Sequence, residues 1–255
     1  AVFTPLTQDQ VNTYIRDLIG GHPERARRAR HLLRGGGVAA AEALAAFLEK
    51  NPGLAPAAAL TIKEMQYANL LAEVPGLDPN SLAHQLVCGS LDMRQSGIAK
   101  LAAASAVAVG ILKDFLDDPD PLLREAAVAT LLQINPRRAP LLLEQRLKTE
   151  KDPEVVCTIL RGLGRVKSKK GLALLSAYLD NANEDLAVTA LNSVARLRAK
   201  SAVEPVVARL NDPRWRVRAA ALETVGALKA ASISAKVAAL LDDPDEFVRY
   251  AAVKD

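Results

Sequence analysis

Four residues in a short stretch have side chains that could bind a nucleic acid. Within residues 210–228, "LNDPRWRVRAAALETVGAL", Arg214, Trp215, Arg216 and Arg218 place one aromatic ring among three cations. Basic patches with aromatic residues are typical of nucleic-acid surfaces. The same stretch opens on Asp-Pro and continues with apolar residues at helical spacing, which predicts an ordinary packed helix. With one Trp and no companion aromatic residues, it is a poor platform for stacked bases.

Catalytic chemistry has few candidates elsewhere. The chain has three histidines, His22, His31 and His84. We identify no metal-site pattern and no catalytic triad around them, and we expect neither a catalytic residue nor a metal or cofactor. The segment "RGLGRVKSKKG", residues 161–171, superficially resembles a phosphate loop. It follows a helical pattern rather than a strand and lacks P-loop spacing, so we interpret it as a helix end and a turn.

Composition predicts an all-α protein. The 255 residues are 50% hydrophobic and only 4% aromatic, and the net charge is +4. A core of this kind, rich in Ala and poor in β-branched runs, favours closely packed helices. Cys88 and Cys157 are expected to be free and buried. The longest uncharged apolar run, residues 101–112, is too short to span a membrane. Residue 1 is Ala rather than Met, as in a mature form that has lost a signal peptide, so the sequence leaves the cellular compartment undecided.

Apolar residues recur with a period of about 31. One series steps by 31 or 32 residues through Leu116, Leu147, Leu179, Leu210 and Leu241. A second series, predicted to face inward, comprises Ile98, Val128, Leu160, Leu191, Leu222 and Val253. Such a repeat is the signature of stacked supersecondary units. Each unit is predicted to be a hairpin of two helices that buries its apolar face against its neighbours.

Asp-Pro dipeptides separate the two helices of several units. They occur at residues 118–119, 212–213 and 243–244. An Asp can accept hydrogen bonds from the free amides of a helix start, and Pro suits the first helical position. We therefore expect Asp118, Asp212 and Asp243 to cap the second helix of their units.

These units resemble a known repeat family. The segments "LDDPDPLLREAAVATLLQI", "LNDPRWRVRAAALETVGAL" and "LDDPDEFVRYAAV" are similar to HEAT repeats of the short phycobilisome-lyase type. The resemblance implies a right-handed α-α superhelix, a solenoid of stacked hairpins. It also implies a ladder between repeats, formed by the residues Asp118, Arg124, Asp212, Arg218, Asp243 and Arg249. The ladder is expected to be interrupted where Val156 and Ala187 occupy the arginine position.

The recognisable repeats are predicted to cover residues 91–255. Residues 1–90 are expected to be helical but divergent, with a capping helix over Thr7 to Ile19, and the whole chain is expected to form one continuous solenoid. In the final unit Val248 and Val253 are predicted to face inward without a following helix. We therefore expect the native polypeptide to continue beyond Asp255.

Helical geometry predicts which residues of the second helices face outward. These are Gln133, Thr158, Arg161, Arg165, Thr189, Asn192, Ser193, Arg196, Glu223 and Thr224. The resemblance implies that second helices line the concave face. The candidate binding strip comprises Arg161, Arg165, Asn192, Arg196, Arg216 and Glu223.

Charge and resemblance give several hypotheses for function. Residues 137–170 contain ten Lys and Arg against four Asp and Glu, so the strip is predicted to be positive. Any solenoid needs a solvated polar face, and that explanation alone could account for the strip. We favour a non-enzymatic scaffold that binds a protein partner, which the charge suggests is acidic. The alternatives are a nucleic-acid-binding protein, including the HEAT-like DNA glycosylases, and a phycobilin lyase subunit.

Overall fold

Two compact units of helices make up the computed structural model, which describes residues 6–20, 22–229 and 234–254. The units comprise residues 1–114 and 115–255. Helices and turns, without strands, form the described part of the chain. The prediction of an all-α chain is therefore confirmed. Within these described ranges, no helix has the length and hydropathy needed to cross a bilayer.

The first unit begins with the helix that the sequence predicts over Thr7 to Ile19. Thr7 is its N-cap, and the Thr7 and Gln10 side chains form a capping box. The helices of this unit, of which the last extends two residues into the second unit, are α1 (Gln8–Ile19), α2 (Pro23–Gly35), α3 (Gly37–Lys50), α4 (Ala55–Leu71), α5 (Pro79–Cys88), α6 (Leu91–Lys100) and α7 (Ser105–Leu116). The change to recognisable repeats predicted near residue 90 lies inside this unit.

The second unit is built from hairpins, as the period of 31 predicts. Its helices are α8 (Pro121–Ile134), α9 (Ala139–Thr149), α10 (Pro153–Leu163), α11 (Lys169–Ser176), α12 (Glu184–Leu197), α13 (Val203–Val207), α14 (Trp215–Leu228), α15 (Ser234–Ala239) and α16 (Glu246–Lys254). Short 3-10 turns extend α13 and α15. The second helices of the hairpins, α8, α10, α12, α14 and α16, pack each against the next in that order.

The inward series forms the core between the second helices. Val128, Leu160, Leu191 and Leu222 are completely buried, as predicted. Val253 is 76% exposed, so its predicted inward position is wrong. The α16 helix covers Leu222 on α14, whereas no helix in the described ranges covers the corresponding side of α16.

The Asp-Pro dipeptides lie in the turns, and each following helix begins two residues after the proline rather than at the proline itself, where it was predicted to begin. Asp118, Asp212 and Asp243 each accept a hydrogen bond from the backbone N–H two residues later. The N-cap positions follow these turns: Asp120 caps α8, and Asp245 accepts from the first turn of α16. The predicted caps are therefore wrong. The three Asp side chains fold the turn instead, because each accepts the N–H of the residue after the proline.

An arginine near the start of three second helices binds the turn before its own helix. In each case Nη1 donates to two consecutive carbonyl oxygens at 2.7–3.1 Å. The pairs of carbonyls are Asp118 and Pro119 for Arg124, Asp212 and Pro213 for Arg218, and Asp243 and Pro244 for Arg249. The guanidinium thus supplies donors to turn carbonyls that the helix ladder does not use.

The other edge of the guanidinium binds a carboxylate of the next repeat. Arg218 donates from Nε and Nη2 to Asp243 at 2.8 and 2.7 Å. Arg124 makes the same bidentate contact with Glu150, at 2.9 Å for both bonds. The predicted ladder does not include Glu150, which lies 32 residues after Asp118, in the same register. We call this arrangement, one guanidinium joining two turn carbonyls to a carboxylate, the arginine bridge.

The arginine series stops in two successive repeats. Val156 and Ala187 occupy the arginine register. Their side chains are buried and apolar, so they cannot donate hydrogen bonds to the turn carbonyls. In the repeat that contains Ala187, the bridge is formed by Arg214, which lies in the turn of the following repeat. Its Nη1 donates to the carbonyls of Asn181 and Ala182, and its Nε and Nη2 bind Asp212 at 2.8 and 2.9 Å. Asp212 is therefore paired with Arg214 and not with an arginine of the preceding repeat.

Glu150 generates a pH-dependent prediction. Burial alone would raise its pKa, but hydrogen bonds from Arg124, the Asp152 amide and Arg146 outweigh burial and lower the pKa from 4.5 to about 2. A carboxyl group with a lowered pKa stabilises the fold above its ordinary pKa, and this stabilisation is lost as the pH falls toward 2. Glu150→Gln should therefore lower the free energy of unfolding at neutral pH by up to about 3 kcal/mol. In urea titrations the difference should shrink in acid.

The matched control is Glu154→Gln on the next helix. The Glu154 side chain is 77% exposed and lies 3.9 Å from Arg161. An exposed pair of this kind contributes little, so the control should unfold like the parent at every pH. If both variants show the same pH dependence as the parent, Glu150 does not have the role assigned to it.

Candidate functional site

The predicted binding strip is largely present on three adjacent second helices. Arg161, Arg165, Asn192, Arg196 and Glu223 are exposed. They belong to α10, α12 and α14 or to the residues that follow α10 directly. Arg165 and Arg196 are 31 residues apart and so occupy the same register in neighbouring repeats. We call the surface formed by these five residues the second-helix face.

Two cations of the second-helix face have no partner in the described part of the chain. Neither Arg165 nor Arg196 makes an ion pair or a side-chain hydrogen bond there. Arg161 differs, because it lies 3.9 Å from Glu154 and donates to the Thr158 hydroxyl at 3.3 Å. The positive charge of the face that is available to a ligand is therefore concentrated at Arg165 and Arg196.

Arg216, which belongs to the candidate binding strip, and its neighbour Trp215 both have partners. The Arg216 guanidinium lies 3.2 Å from Glu184 and 2.9 Å from Asp185. The Trp215 ring stacks on Phe247, with centroids 5.1 Å apart. Arg216 belongs to an ion-pair cluster between α12 and α14 rather than to a free basic strip. The missed companion of Trp215 is Phe247, 32 residues later and close to the repeat period.

Ser193 and Thr224 are buried, so the prediction that they face outward is wrong. The Thr224 hydroxyl lies 2.6 Å from the Ala220 carbonyl and 3.2 Å from the Leu191 carbonyl of α12. Ser193 packs against Gly164 at the end of α10. The neighbouring second helix covers both residues, and a helical projection of one repeat does not include that neighbour.

A cleft of about 490 Å³ adjoins Arg161 and Arg165 of the second-helix face. It lies between α8 and α10, and its lining includes Leu132, Thr158, Arg161, Gly162 and Arg165. The walls combine apolar carbon with two guanidinium groups. Such a cleft can accept a small apolar group next to an anion.

A second cluster of polar residues lies in the first unit, which contains no residue of the predicted binding strip or ladder. Glu64 of α4 lies close to His84 and Cys88 of α5, and one ligand atom from each residue falls within 4.8 Å of the others. The four-residue spacing of His84 and Cys88, which places both on one helix face, is the signal that was overlooked. Glu64 carries no comparable signal, because it comes from another helix.

The environment of Cys88 differs from the expected one. The residue is exposed rather than buried, although its thiol contacts Glu64. Desolvation of the thiol, together with the hydrogen bond and the negative charge of Glu64, raises the Cys88 pKa to about 11, and Arg30 and Arg34 oppose this shift. Cys157 is buried and free, as predicted.

Comparison with known proteins agrees with the repeat geometry. A family profile described as HEAT repeats matches residues 109–190 and 172–254, which together exceed half of the chain. The chain belongs to the HEAT-repeat family. The narrower resemblance to phycobilisome-lyase-type HEAT repeats stays a prediction. No curated protein sequence matches the chain.

Two solved structures are similar to this HEAT-repeat chain at low identity. Human deoxyhypusine hydroxylase, in complex with glycerol, is 18% identical with a TM-score of 0.36, over 97% of this chain and 94% of that one. An engineered protein is 16% identical with a TM-score of 0.30, over 96% and 94%. These values are too low to transfer any activity.

Gly164 generates a prediction about how α10 and α12 are held together. A Cβ at this position would lie 2.7 Å from the Ser193 Cβ, 2.8 Å from its Cα and 3.0 Å from its carbonyl oxygen. Backbone atoms cannot give way cheaply, so Gly164→Ala should destabilise the protein by about 1–3 kcal/mol in urea titrations. Gly110→Ala is the control, since a Cβ there meets nothing within 4 Å and α7 should gain up to about 1 kcal/mol. Equal stability of the Gly164 variant and the parent would contradict the close approach.

Proposed function

We propose that this HEAT-repeat chain is a non-enzymatic scaffold whose second-helix face binds an acidic segment of a protein partner. The observation that carries the proposal is the pair Arg165 and Arg196. They repeat at the same register on neighbouring units, they are exposed, and they have no partner among the described residues. An ordinary solvated face does not require two cations in register without counterions.

The local charge supports an acidic partner. Of the ten Lys and Arg in residues 137–170, Arg146 binds Asp117 and Glu150, and Lys170 binds Glu144. Arg165 stays available for an external carboxylate. A guanidinium recognises a carboxylate through two parallel hydrogen bonds, which gives orientation as well as affinity.

The cleft next to Arg165 supports a peptide rather than a simple anion. Leu132 and Val166 give it apolar walls beside the Arg161 and Arg165 guanidinium groups. A peptide with an apolar residue next to Glu or Asp would bury the apolar side chain in the cleft and pair its carboxylate with the arginines. Buried apolar anchors surrounded by polar contacts are the usual anatomy of protein interfaces.

The charge pattern does not favour nucleic acid. Glu223 lies on the second-helix face, and Glu184 and Asp185 neutralise Arg216 on the adjacent surface. A duplex backbone needs a longer series of unpaired cations, because most of its affinity comes from phosphate contacts. The two free arginines cover neighbouring repeats only.

Reversal of the two free charges tests the proposed function. We expect Arg165→Glu combined with Arg196→Glu to weaken binding of a labelled glutamate-rich peptide containing leucine by at least about tenfold, a loss of about 1.4 kcal/mol. Circular dichroism should be unchanged, since both side chains are exposed. Fluorescence anisotropy at low salt gives the affinities.

A matched control reverses the same amount of charge elsewhere. Lys148 and Lys151 are exposed at the end of α9 and in the turn that follows it, outside the second-helix face. Lys148→Glu combined with Lys151→Glu should bind the peptide almost as the parent does. Equal binding by the Arg165 and Arg196 variant would overturn the proposal. Salt-sensitive binding of duplex DNA without peptide binding would indicate the nucleic-acid alternative.

A further inference from the structure

A polar pocket in the first unit has no role in the proposed scaffold function. It has a volume of about 420 Å³ and is lined by His31, Arg34, Asn80, Ser81 and His84, together with Gly35. Its residues come from α2 and α5, both of which pack against α4. Nothing in the stacking of these helices requires two imidazoles and a guanidinium around one cavity.

Three buried polar atoms at this pocket have no hydrogen-bond partner among the residues that the structure describes. They are Arg34 Nε, Asn80 Oδ1 and Glu64 Oε2. Arg34 and Asn80 line the pocket, and Glu64 is bound to the pocket residue His84. Buried polar groups are nearly always satisfied, so unpaired atoms gathered in one place indicate a missing water, ion or ligand.

Glu64 is the most costly member of this group. Its side chain is completely buried, with Oε1 2.6 Å from His84 Nδ1 and Oε2 3.5 Å from Arg34 Nη1. Removing a carboxylate from water costs several kcal/mol unless other charges compensate for it. Among the described residues only Oε1 has a hydrogen-bond partner, so Oε2, which approaches Arg34 at 3.5 Å, can still bind a further cation.

The ligand atoms around Glu64 match the preferences of one class of ion. His84 and Cys88 lie one helical turn apart on α5, and both side chains lie beside Glu64 of α4. Their ligand atoms and that of Glu64 all lie within 4.8 Å of one another. In a tetrahedral zinc site the ligand atoms are about 3.3–3.8 Å apart, given bonds of about 2.0–2.3 Å. The 2.6 Å contact between His84 Nδ1 and Glu64 Oε1 would therefore have to lengthen as the ion enters. A carboxylate oxygen, an imidazole nitrogen and a thiolate are all zinc ligands.

We propose that Glu64, His84 and Cys88 form a three-ligand site for a divalent transition metal, with zinc as the best-matched ion and a fourth coordination position open to the pocket. Arg34 lies beside the free oxygen of Glu64 and would orient the carboxylate. Hydrogen bonds from neighbouring residues to the ligand side chains hold metal ligands in place in proteins.

The open position accounts for the other unpaired atoms. A metal-bound water both donates and accepts hydrogen bonds. It can therefore pair with an unsatisfied acceptor such as Asn80 Oδ1 and with an unsatisfied donor such as Arg34 Nε. An apolar ligand would satisfy neither atom, and a simple anion would satisfy the donor alone.

Cobalt titration of the full chain tests the site directly. After removal of bound metal with a chelator, Co²⁺ should produce a thiolate-to-cobalt charge-transfer band that saturates at one ion per chain. Zinc added in competition should abolish the band. The absence of a thiolate band, or binding without a defined stoichiometry, would overturn the proposal.

Variants assign the band to the three residues. Cys88→Ser should remove the band, and Glu64→Gln and His84→Gln should weaken zinc binding by at least about tenfold, since loss of even an outer contact has an effect of this size. Cys157→Ser is the control, because this buried thiol lies in the other unit and should leave the band intact.

Should Glu64→Gln fail to fold, Cys88→Ser and His84→Gln still decide the question: unchanged zinc affinity in both would refute the site. Peptide binding by the second-helix face should be unaffected, so the two proposals can fail separately.

Discussion

The arginine bridge joins consecutive turns of the repeats in residues 115–255, through Arg124, Arg214 and Arg218, and the register of the repeats that it joins depends on it. The turn between two helices leaves consecutive carbonyl groups, such as those of Asp212 and Pro213, outside the helix ladder. One planar guanidinium can satisfy both and still present two donors to a carboxylate of the next repeat, as Arg218 does with Asp243. A lysine could not, because its single ammonium group lacks this geometry. The same contact therefore folds the turn and sets the register between neighbours.

This requirement also explains how the chain departs from its own pattern. Where Ala187 removes the arginine from α12, Arg214 forms the bridge from the following turn and binds Asp212. The unpaired Arg165 and Arg196 lie just after α10 and on α12. These are the two second helices that have no bridge arginine of their own. The proposed binding surface thus lies in the repeats whose scaffold pattern is altered, and its cations are not used in stacking.

The 31-residue period predicts the hairpins because most of the apolar residues that recur with it in the inward series are buried between neighbouring second helices. Other features depend on neighbours that a single repeat does not contain. The burial of Thr224 is set by α12, and the helix starts lie later than predicted because Asp118 and Asp243 bind the amide two residues on instead of a helix end. Glu64 meets His84 only because α4 packs on α5, so spacing along one helix could identify His84 and Cys88 but not Glu64.

A double-mutant cycle on Arg218 and Asp243 tests the central claim most directly. Asp243 also accepts from the Asp245 amide, so the single variants alone mix two effects, and the cycle isolates the contact between repeats. With Arg218→Ala and Asp243→Asn, we expect a coupling free energy of about 1–3 kcal/mol. The exposed pair Arg216 and Glu184 serves as the reference and should give less than about 1 kcal/mol. Coupling between Arg218 and Asp243 no larger than in the reference pair would contradict the claim that the arginine bridge holds the repeats together.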